Sequence, residues 1–336
     1  MKSSPFVSPN FLERIAEPAS RFHSDYLAYR RSQITRAELI TRFPHMAMVG
    51  DSVCMNIYIS SPWSTFWRAR TCRRNNWFLH LEPAPAIYSV SKALEAITPF
   101  VAIDCARVGA LVDDEHGRQT LFRWILGTRN FSRQLAELLR ARRFPDLILI
   151  SIGHNNVDWA WRCPLNELQN SEERLKRFSK ESRQNYAREL RRLLSRARIH
   201  QHRVAIVIYG LINFESYFRG RESAERLREL DKRLYPYLET TYKYFLSFHP
   251  RYRCRLIRLA AMANQELHGM VEELNHEIIL GQIQLRYSDA LATADLSHAE
   301  LLHPIDGWHA SIEGHNALAQ AAWGDLKTSL DFLGIQ

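Results

Sequence analysis

The chain has 336 residues, of which 46% are hydrophobic and 24% are charged, as in most globular proteins. No apolar run reaches the roughly 20 residues that a membrane-spanning helix needs, and the N-terminus lacks the apolar segment of a signal peptide. The sequence therefore predicts a cytoplasmic protein without a transmembrane segment, and it leaves export by another route open.

The net charge is +9 and the pI is about 9.4. Much of the positive charge lies in Arg118–Arg143 and Arg174–Arg203, and the second segment places its leucines on one side of a helix. A helix with a solvated basic face is the simpler interpretation. Weak attraction to anionic surfaces is the alternative. No zinc-finger spacing or aromatic-interleaved basic motif is present, so we expect no nucleic-acid binding.

The cysteines indicate neither a disulfide framework nor a structural metal site. They are odd in number, scattered and without C-x-x-C spacing, which favours buried reduced thiols: Cys54, Cys72, Cys105, Cys163 and Cys254. The sequence also lacks a Walker A motif and a G-x-G-x-x-G motif. We therefore expect no cofactor and no metal.

Apolar strands alternate with helical stretches along the chain, which predicts a doubly wound parallel sheet. We interpret residues 1–42 as a helical leader and residues 43–336 as one domain with aromatic-rich insertions near 55–99 and 211–250. The predicted strands are His45–Val49, Phe100–Cys105, Leu147–Ile152, Arg203–Tyr209 and Ile283–Tyr287. The predicted helices are Leu121–Arg143, Ser171–Ile199, Phe214–Phe248, Leu256–Leu280 and one from Ile312 onward.

Glycine or polar clusters follow the first three predicted strands. Gly50-Asp51-Ser52 follows the first, a loop containing Gly109 follows the second, and Gly153-His154-Asn155-Asn156 follows the third. Each cluster alone is more often an ordinary turn. Because parallel strands end at the same edge of a sheet, where ligands bind in open α/β folds, the three together predict one active-site rim.

Ser52 is the candidate nucleophile. A serine hydroxyl needs a neighbouring base, and that base needs a group to orient it. Asp306 and His309 in the C-terminal loop are spaced so that the carboxylate can hold the imidazole in one tautomer. The oxyanion would be bound by the Ser52 N–H, by the N–H of Gly109 and by the side-chain amide of Asn155.

Two segments between these clusters are rich in aromatic residues, Tyr58–Phe78 and Phe214–Phe248. They are candidate walls of an acyl pocket, with Trp67, Phe218 and Trp308 as the candidate substrate-binding residues. The competing interpretation is that they pack long connections onto the core, which is the commoner use of such residues.

Four of these blocks together resemble the SGNH, or GDSL-type, serine hydrolase family of esterases and lipases. Gly50-Asp51-Ser52 resembles the nucleophile block, with Val53 in place of the usual Leu, and Gly109 resembles the glycine block. Gly153–Asn156 resembles G-x-N-D, with Asn156 in place of Asp, and Asp306–His309 resembles D-x-x-H.

The resemblance implies a three-layer α/β/α sandwich with a flavodoxin-like parallel sheet of about five strands. It also implies metal-free hydrolysis of an ester or thioester, with Ser52 as nucleophile, His309 as base and Asp306 orienting His309. Gly109 and Asn155 would complete the oxyanion hole. The replacement of Asp by Asn156 leaves the hydrogen bonding around the Ser52 loop open.

The sequence thus predicts a serine esterase that acts on a small-molecule or lipid-like acyl ester. Two alternatives remain at this stage. An O-acetyl- or O-acyltransferase would use the same triad. A non-catalytic basic protein could bind membranes or nucleic acid on a retired hydrolase scaffold, although the intact Ser52, Asp306 and His309 argue against it.

Overall fold

The structure is a computed structural model. It describes residues 31–54, 76–79, 88–98, 100–107, 109–112, 130–141, 143–159, 171–236, 250–278, 281–304 and 309–335, together with 28, 238 and 307. Of the candidate site residues, Trp67, Asp306 and Trp308 lie outside this part of the chain.

A five-stranded parallel sheet forms the centre of the domain. Its strands are β1 (His45–Gly50), β2 (Val101–Asp104), β3 (Leu147–Ser151), β4 (Val204–Tyr209) and β5 (Ile283–Ser288). The order across the sheet is β2-β1-β3-β4-β5, and every neighbouring pair is parallel. This is the flavodoxin-like order, and each strand lies within one residue of its predicted bounds at either end.

Helices cover both faces of the sheet. In chain order they are α1 (Arg36–Thr41), α2 (Val90–Glu95), α3 (Phe131–Leu139), α4 (His154–Trp159), α5 (Ser171–Ala197), α6 (Phe214–Leu230), α7 (Pro250–His276), α8 (Ala290–Thr293) and α9 (Ile312–Leu333). Short 3-10 turns lie at Ser52–Cys54 and Ala299–Leu301.

The alternation of side chains along each strand divides the core into two. Met46 and Met48 of β1 face a cluster with α2, α6 and α9, whereas Ala47 and Val49 face a cluster with α3 and α5. All residues of the central strands β1, β3 and β4 are buried, as expected for a parallel sheet covered on both faces. The predicted three-layer fold is confirmed.

The long helices differ from their predicted bounds mainly at their ends. The predicted helix Leu121–Arg143 is seen as α3 from Phe131, because 121–129 are outside the described residues. Helix α6 ends at Leu230, well before the predicted Phe248. Helix α7 begins at Pro250, earlier than predicted, and proline is favoured in the first turn because its missing N–H needs no partner there.

The basic helix α5 uses several of its arginines against α7. Arg183 binds Glu266 at 3.1 Å, and Arg191 binds Glu277, the residue just after α7, at 2.7 Å. Arg198, the residue just after α5, donates to the Glu277 carbonyl at 2.6 Å. The basic face predicted to be solvated is therefore partly a contact between two helices. Across the described helices, none combines the length and apolar character needed to cross a bilayer.

The thiols are only partly as expected. Cys54 and Cys105 are buried and free, but Cys254 is free and exposed because it lies on the outer side of α7. Cys72 and Cys163 lie outside the described residues.

Candidate active site

The turn that carries Ser52 is fixed by contacts to the residue two positions before it. The side-chain amide of Gln134 accepts from the Gly50 N–H at 2.9 Å and donates to the Gly50 carbonyl at 2.9 Å. A Cβ at Gly50 would overlap the Cys54 sulfur and lie 2.6 Å from the Ser151 carbonyl oxygen. Only glycine fits there, and its lack of a side chain lets the end of β1 lie close to β3 immediately before Ser52.

Cys54 lies two residues after Ser52 but is not a competing nucleophile. Its Sγ donates to the Ser151 carbonyl at 3.2 Å, and the side chain is fully buried. Burial, together with the charge of Asp51, raises the pKa of the Cys54 thiol well above its ordinary value. The thiol therefore stays protonated, and the thiol form is the unreactive one.

Asp51 and His154 form a buried pair at this edge of the sheet. Asp51 Oδ2 accepts from the N–H groups of Gly153 and His154 at 3.1 Å each and from His154 Nδ1 at 3.0 Å. Its Oδ1 accepts from the Val53 N–H at 3.0 Å. His154 Nε2 accepts from the Ile212 N–H at 3.1 Å. Since Nε2 is the acceptor, the proton is assigned to Nδ1.

This pair joins the ends of β1, β3 and β4, and sequence reasoning missed it. The sequence showed His154 only as the variable residue of the G-x-N-N block. The available signal was a large polar ring immediately after a buried strand, where it must find partners.

Two of the three candidate oxyanion donors are backbone N–H groups. The N–H groups of Asp51, Val53 and Cys54 all have acceptors, whereas the Ser52 N–H has none among the described residues. Gly109 has φ of 66°, the left-handed conformation that glycine adopts without strain. Both N–H groups are thus presented by turns that follow strand ends.

The third candidate donor, Asn155, contacts the Gly109 loop. Its Nδ2 donates to the carbonyl of Ala110 at 3.1 Å, which fixes the side-chain amide. An amide NH₂ has two protons, so a second proton of Asn155 remains for a substrate oxygen. The structure therefore brings Gly109 and Asn155 to the same part of the rim.

Asn156 stands where the family pattern usually has Asp, and its hydrogen bond shows why an amide can occupy this position. Its Oδ1 accepts from the Val112 N–H at 2.8 Å, and the side chain is buried. An amide oxygen accepts this bond as a carboxylate oxygen would, without burying a charge.

The loop that carries His309 is closed by backbone and side-chain hydrogen bonds. The His303 N–H donates to the His309 carbonyl, and the Gly307 N–H donates to the His303 carbonyl, both at 2.8 Å. The Gly307 carbonyl also accepts from Tyr217 Oη and from Arg221 Nη1, both at 3.2 Å. Arg221 is fully buried, so two side chains of α6 hold the Gly307 carbonyl in place.

Ser52 and His309 line the same cleft. Two further histidines, His154 and His315, also line it. The remaining lining residues are apolar or aromatic: Val53, Ile212, Phe214, Tyr217, Leu296, Leu301, Leu302, Ala310 and Leu318. In the described part of the chain, no group of three His, Cys, Asp or Glu residues is arranged to hold a metal ion.

The aromatic wall of the cleft comes from α6, but not from the residue that was predicted. Phe214 and Tyr217 line the cleft, whereas Phe218 is absent from the described lining. Phe218 is buried against Phe214 and Tyr217, with the Arg253 guanidinium 5.5 Å from its ring centroid. Its surroundings are those of a core residue.

A family comparison matches most of the chain. The profile described as "GDSL-like Lipase/Acylhydrolase" matches residues 96–322, about two thirds of the sequence. The chain belongs to this GDSL family. The match includes Asn155 and His309 but begins after Ser52, so it does not cover the predicted nucleophile block of this GDSL hydrolase.

Several solved structures are similar at low identity. A carbohydrate acetylesterase family member from Sinorhizobium meliloti is 14% identical, over 86% of this chain and 99% of its own, with a TM-score of 0.42. Phospholipase A1 from Streptomyces albidoflavus NA297 is 13% identical, over 85% and 99%, with a TM-score of 0.47. An extracellular lipase from Streptomyces rimosus is 13% identical, over 85% and 99%, with a TM-score of 0.46. No curated protein matches the chain.

Membership of the family makes this GDSL hydrolase a serine ester hydrolase.

Proposed function

We propose that this GDSL hydrolase cleaves esters of apolar acyl groups, with Ser52, His309 and Asp306 as the catalytic triad. The observation that carries the proposal is that Ser52 and His309 line one cleft whose other walls are mostly apolar. An acyl chain held there would place its carbonyl carbon beside the serine, and its methylenes would leave water.

The reaction would proceed through an acyl-enzyme. Ser52 Oγ attacks the ester carbonyl carbon while its proton passes to His309, and the carbonyl oxygen becomes the oxyanion. The N–H groups of Ser52 and Gly109 and the amide of Asn155 bind that oxyanion. When the C–O bond to the alcohol breaks, His309 returns the proton to the leaving oxygen. Water then attacks the acyl-enzyme, with His309 again as the base, and releases the acid.

Asp306 would act by orienting His309. A carboxylate beside the imidazole fixes its tautomer and stabilises the imidazolium that forms during attack. The hydrogen bonds of His303 to Gly307 and to His309 support this role, because they hold residues that flank Asp306 in sequence close to one another.

A fluorophosphonate probe tests the proposal. We expect the probe to label Ser52 of the wild-type protein and to leave Ser52→Ala unlabelled, with the site identified by peptide mass spectrometry. The His309→Ala protein should label at least about a hundredfold more slowly, because an unassisted serine is a weak nucleophile. The matched control is His298→Ala, which removes an exposed histidine near the same loop and should label normally. Labelling that does not depend on His309 would contradict the assignment of the base.

A further inference from the structure

His315 occupies a fixed position in the wall of the cleft. It lies in the first turn of α9, where the Ser311 hydroxyl caps the helix by accepting from the Gly314 N–H at 3.1 Å. The His315 N–H donates to the Ser311 carbonyl at 2.9 Å. The side chain is 1% exposed and lines the cleft together with Ser52 and His309.

Neither ring nitrogen of His315 has a hydrogen-bond partner among the described residues. Burial, together with the smaller effects of the neighbouring charges of His309 and His303, lowers the pKa of His315 to about 3. The ring is therefore neutral at ordinary pH, with one N–H donor and one acceptor nitrogen. Both are unused.

His154 provides the contrast within the same cleft. It is also a buried histidine, but its two nitrogens bind Asp51 and the Ile212 N–H. Buried polar groups in folded proteins nearly always have hydrogen-bond partners, and a buried group without one lowers the stability of the folded state. His154 has its partners within the protein, whereas the ring of His315 has none among the residues that the structure describes.

Most of the described residues that line the cleft with His315 are apolar, among them Leu301, Leu302 and Leu318, and the polar Ser52 and His309 have roles in the proposed reaction. A molecule bound in the cleft beside Ser52 and His309 could supply a partner. A plain alkyl chain would leave the imidazole without a hydrogen bond, whereas a hydroxyl or carbonyl oxygen on the chain would form one with it.

We propose that His315 is a specificity-determining residue that hydrogen-bonds an oxygen substituent on the acyl chain, so that the enzyme favours hydroxy- or oxo-acyl esters over plain alkanoyl esters of equal length. This inference rests on the proposed function, since it takes the cleft to be the acyl site. It adds a substrate class that the apolar lining alone does not predict.

A matched ester panel tests the inference. The panel contains p-nitrophenyl hexanoate and its 2-hydroxy, 3-hydroxy, 6-hydroxy and 3-oxo derivatives, each corrected for its rate of spontaneous hydrolysis. We expect at least one derivative to exceed hexanoate in kcat/KM by about tenfold, the factor that one net hydrogen bond is worth. If wild-type enzyme prefers hexanoate to every derivative, the inference is overturned.

Two variants assign the preference to His315. In His315→Phe, which keeps an aromatic ring but removes both nitrogens, the ratio of the preferred derivative to hexanoate should fall to about one. In Leu318→Ala, which enlarges the same wall without changing its polarity, the individual rates should change but the ratio should persist. A ratio that survives in His315→Phe, or is lost equally in Leu318→Ala, would overturn the inference.

A binding measurement separates this inference from the proposed function and does not depend on the folding of His315→Phe. The Ser52→Ala protein, labelled with ¹⁵N-histidine, is titrated with hexanoate and with the corresponding acid of the preferred derivative. We expect the His315 ring-nitrogen resonances to shift with the substituted acid only. The same shifts in an enzyme that hydrolyses none of the esters would sustain the His315 site and refute the proposed function. Identical responses to the two acids would refute the His315 site.

Discussion

Asp51 Oδ2 and His154 Nδ1 lie 3.0 Å apart at the carboxyl edge of the sheet, and both side chains are buried. Asp51 immediately precedes the candidate nucleophile Ser52, and His154 immediately precedes the candidate oxyanion donor Asn155. One hydrogen bond therefore joins the neighbours of two groups that must act on the same carbonyl. The bond from the Ile212 N–H to His154 Nε2 extends this link to the end of β4.

The first prediction concerns this link. His154→Phe leaves the Ile212 N–H without its acceptor and removes one donor from Asp51. We expect the free energy of unfolding to fall by about 2–4 kcal/mol, since each unmet buried group costs about 1–3 kcal/mol. We also expect kcat to fall by about 10²-fold, the effect of small misplacement of reacting groups, with a smaller change in KM. Urea denaturation and steady-state kinetics on one ester measure the two effects.

Asn264→Leu is the matched control for His154→Phe. Asn264 Oδ1 accepts from the Leu211 N–H at 2.7 Å, so it holds the same segment after β4 but does not touch Asp51. We expect a comparable loss of stability and a much smaller loss of kcat. Equal losses of kcat in the two variants would show that His154 acts only through stability.

The second prediction separates two adjacent asparagines. Asn155→Ala removes a candidate oxyanion donor, and we expect kcat to fall by about 10²–10³-fold with little change in KM. Asn156→Asp restores the usual family residue and keeps an oxygen acceptor for the Val112 N–H. We expect its kcat to stay within about threefold of wild type, because a carboxylate oxygen accepts that bond equally well. A larger loss in Asn156→Asp than in Asn155→Ala would contradict these roles.

The fold could be predicted from the sequence because its signals are local. Each strand is a short apolar run that ends in glycine or polar residues, as in Met46–Val49 before Gly50. The order of the strands followed from the family resemblance. The positions of Ser52, Gly109 and Asn155 at one edge followed from the rule that parallel strands end together.

The partners of the buried histidines could not be predicted, because they depend on contacts between distant parts of the chain. His154 binds Asp51, which is 103 residues away, and Ile212, which is 58 residues away. Similarly, Phe214 and Phe218 are equivalent in sequence, one helical turn apart. Only the packing of α6 shows that Phe214 lines the cleft while Phe218 lies near Arg253.

The third prediction concerns acid stability. The pKa of His315 is lowered from 6.5 to about 3 in the folded state, mainly by burial, so the unfolded chain binds the proton more tightly. Above about pH 6.5 the ring is neutral in both states and costs no stability. As the pH falls from there toward 3, the unfolded chain takes up the proton first and the folded state loses stability. Between these values the free energy of unfolding decreases by about 1.4 kcal/mol for each unit by which the pH falls.

His315→Phe tests this prediction because it removes the titrating group. We expect the variant to lose less stability than wild type when the pH is lowered from about 7.5 to about 5, by an amount near 2 kcal/mol. The charges that face His315 are those of His309 and His303, which both proteins retain. Chemical denaturation at the two pH values gives the comparison, and equal losses in the two proteins would contradict the burial of a neutral His315.

The last prediction concerns acyl length and uses two phenylalanines on one helix. From p-nitrophenyl acetate to hexanoate the acyl chain gains four methylenes, each worth up to ~0.8 kcal/mol when buried, so kcat/KM should rise by about 10²-fold. Phe214→Leu removes part of the cleft wall and should reduce this rise. Phe218→Leu removes the same atoms from the core beside the cleft, and it should lower stability while leaving the acetate-to-hexanoate ratio unchanged. The ratio is measured at low substrate concentration, where rates report kcat/KM. A wild-type enzyme that favours acetate, or an equal change of the ratio in both variants, would mean that the cleft does not hold the acyl chain.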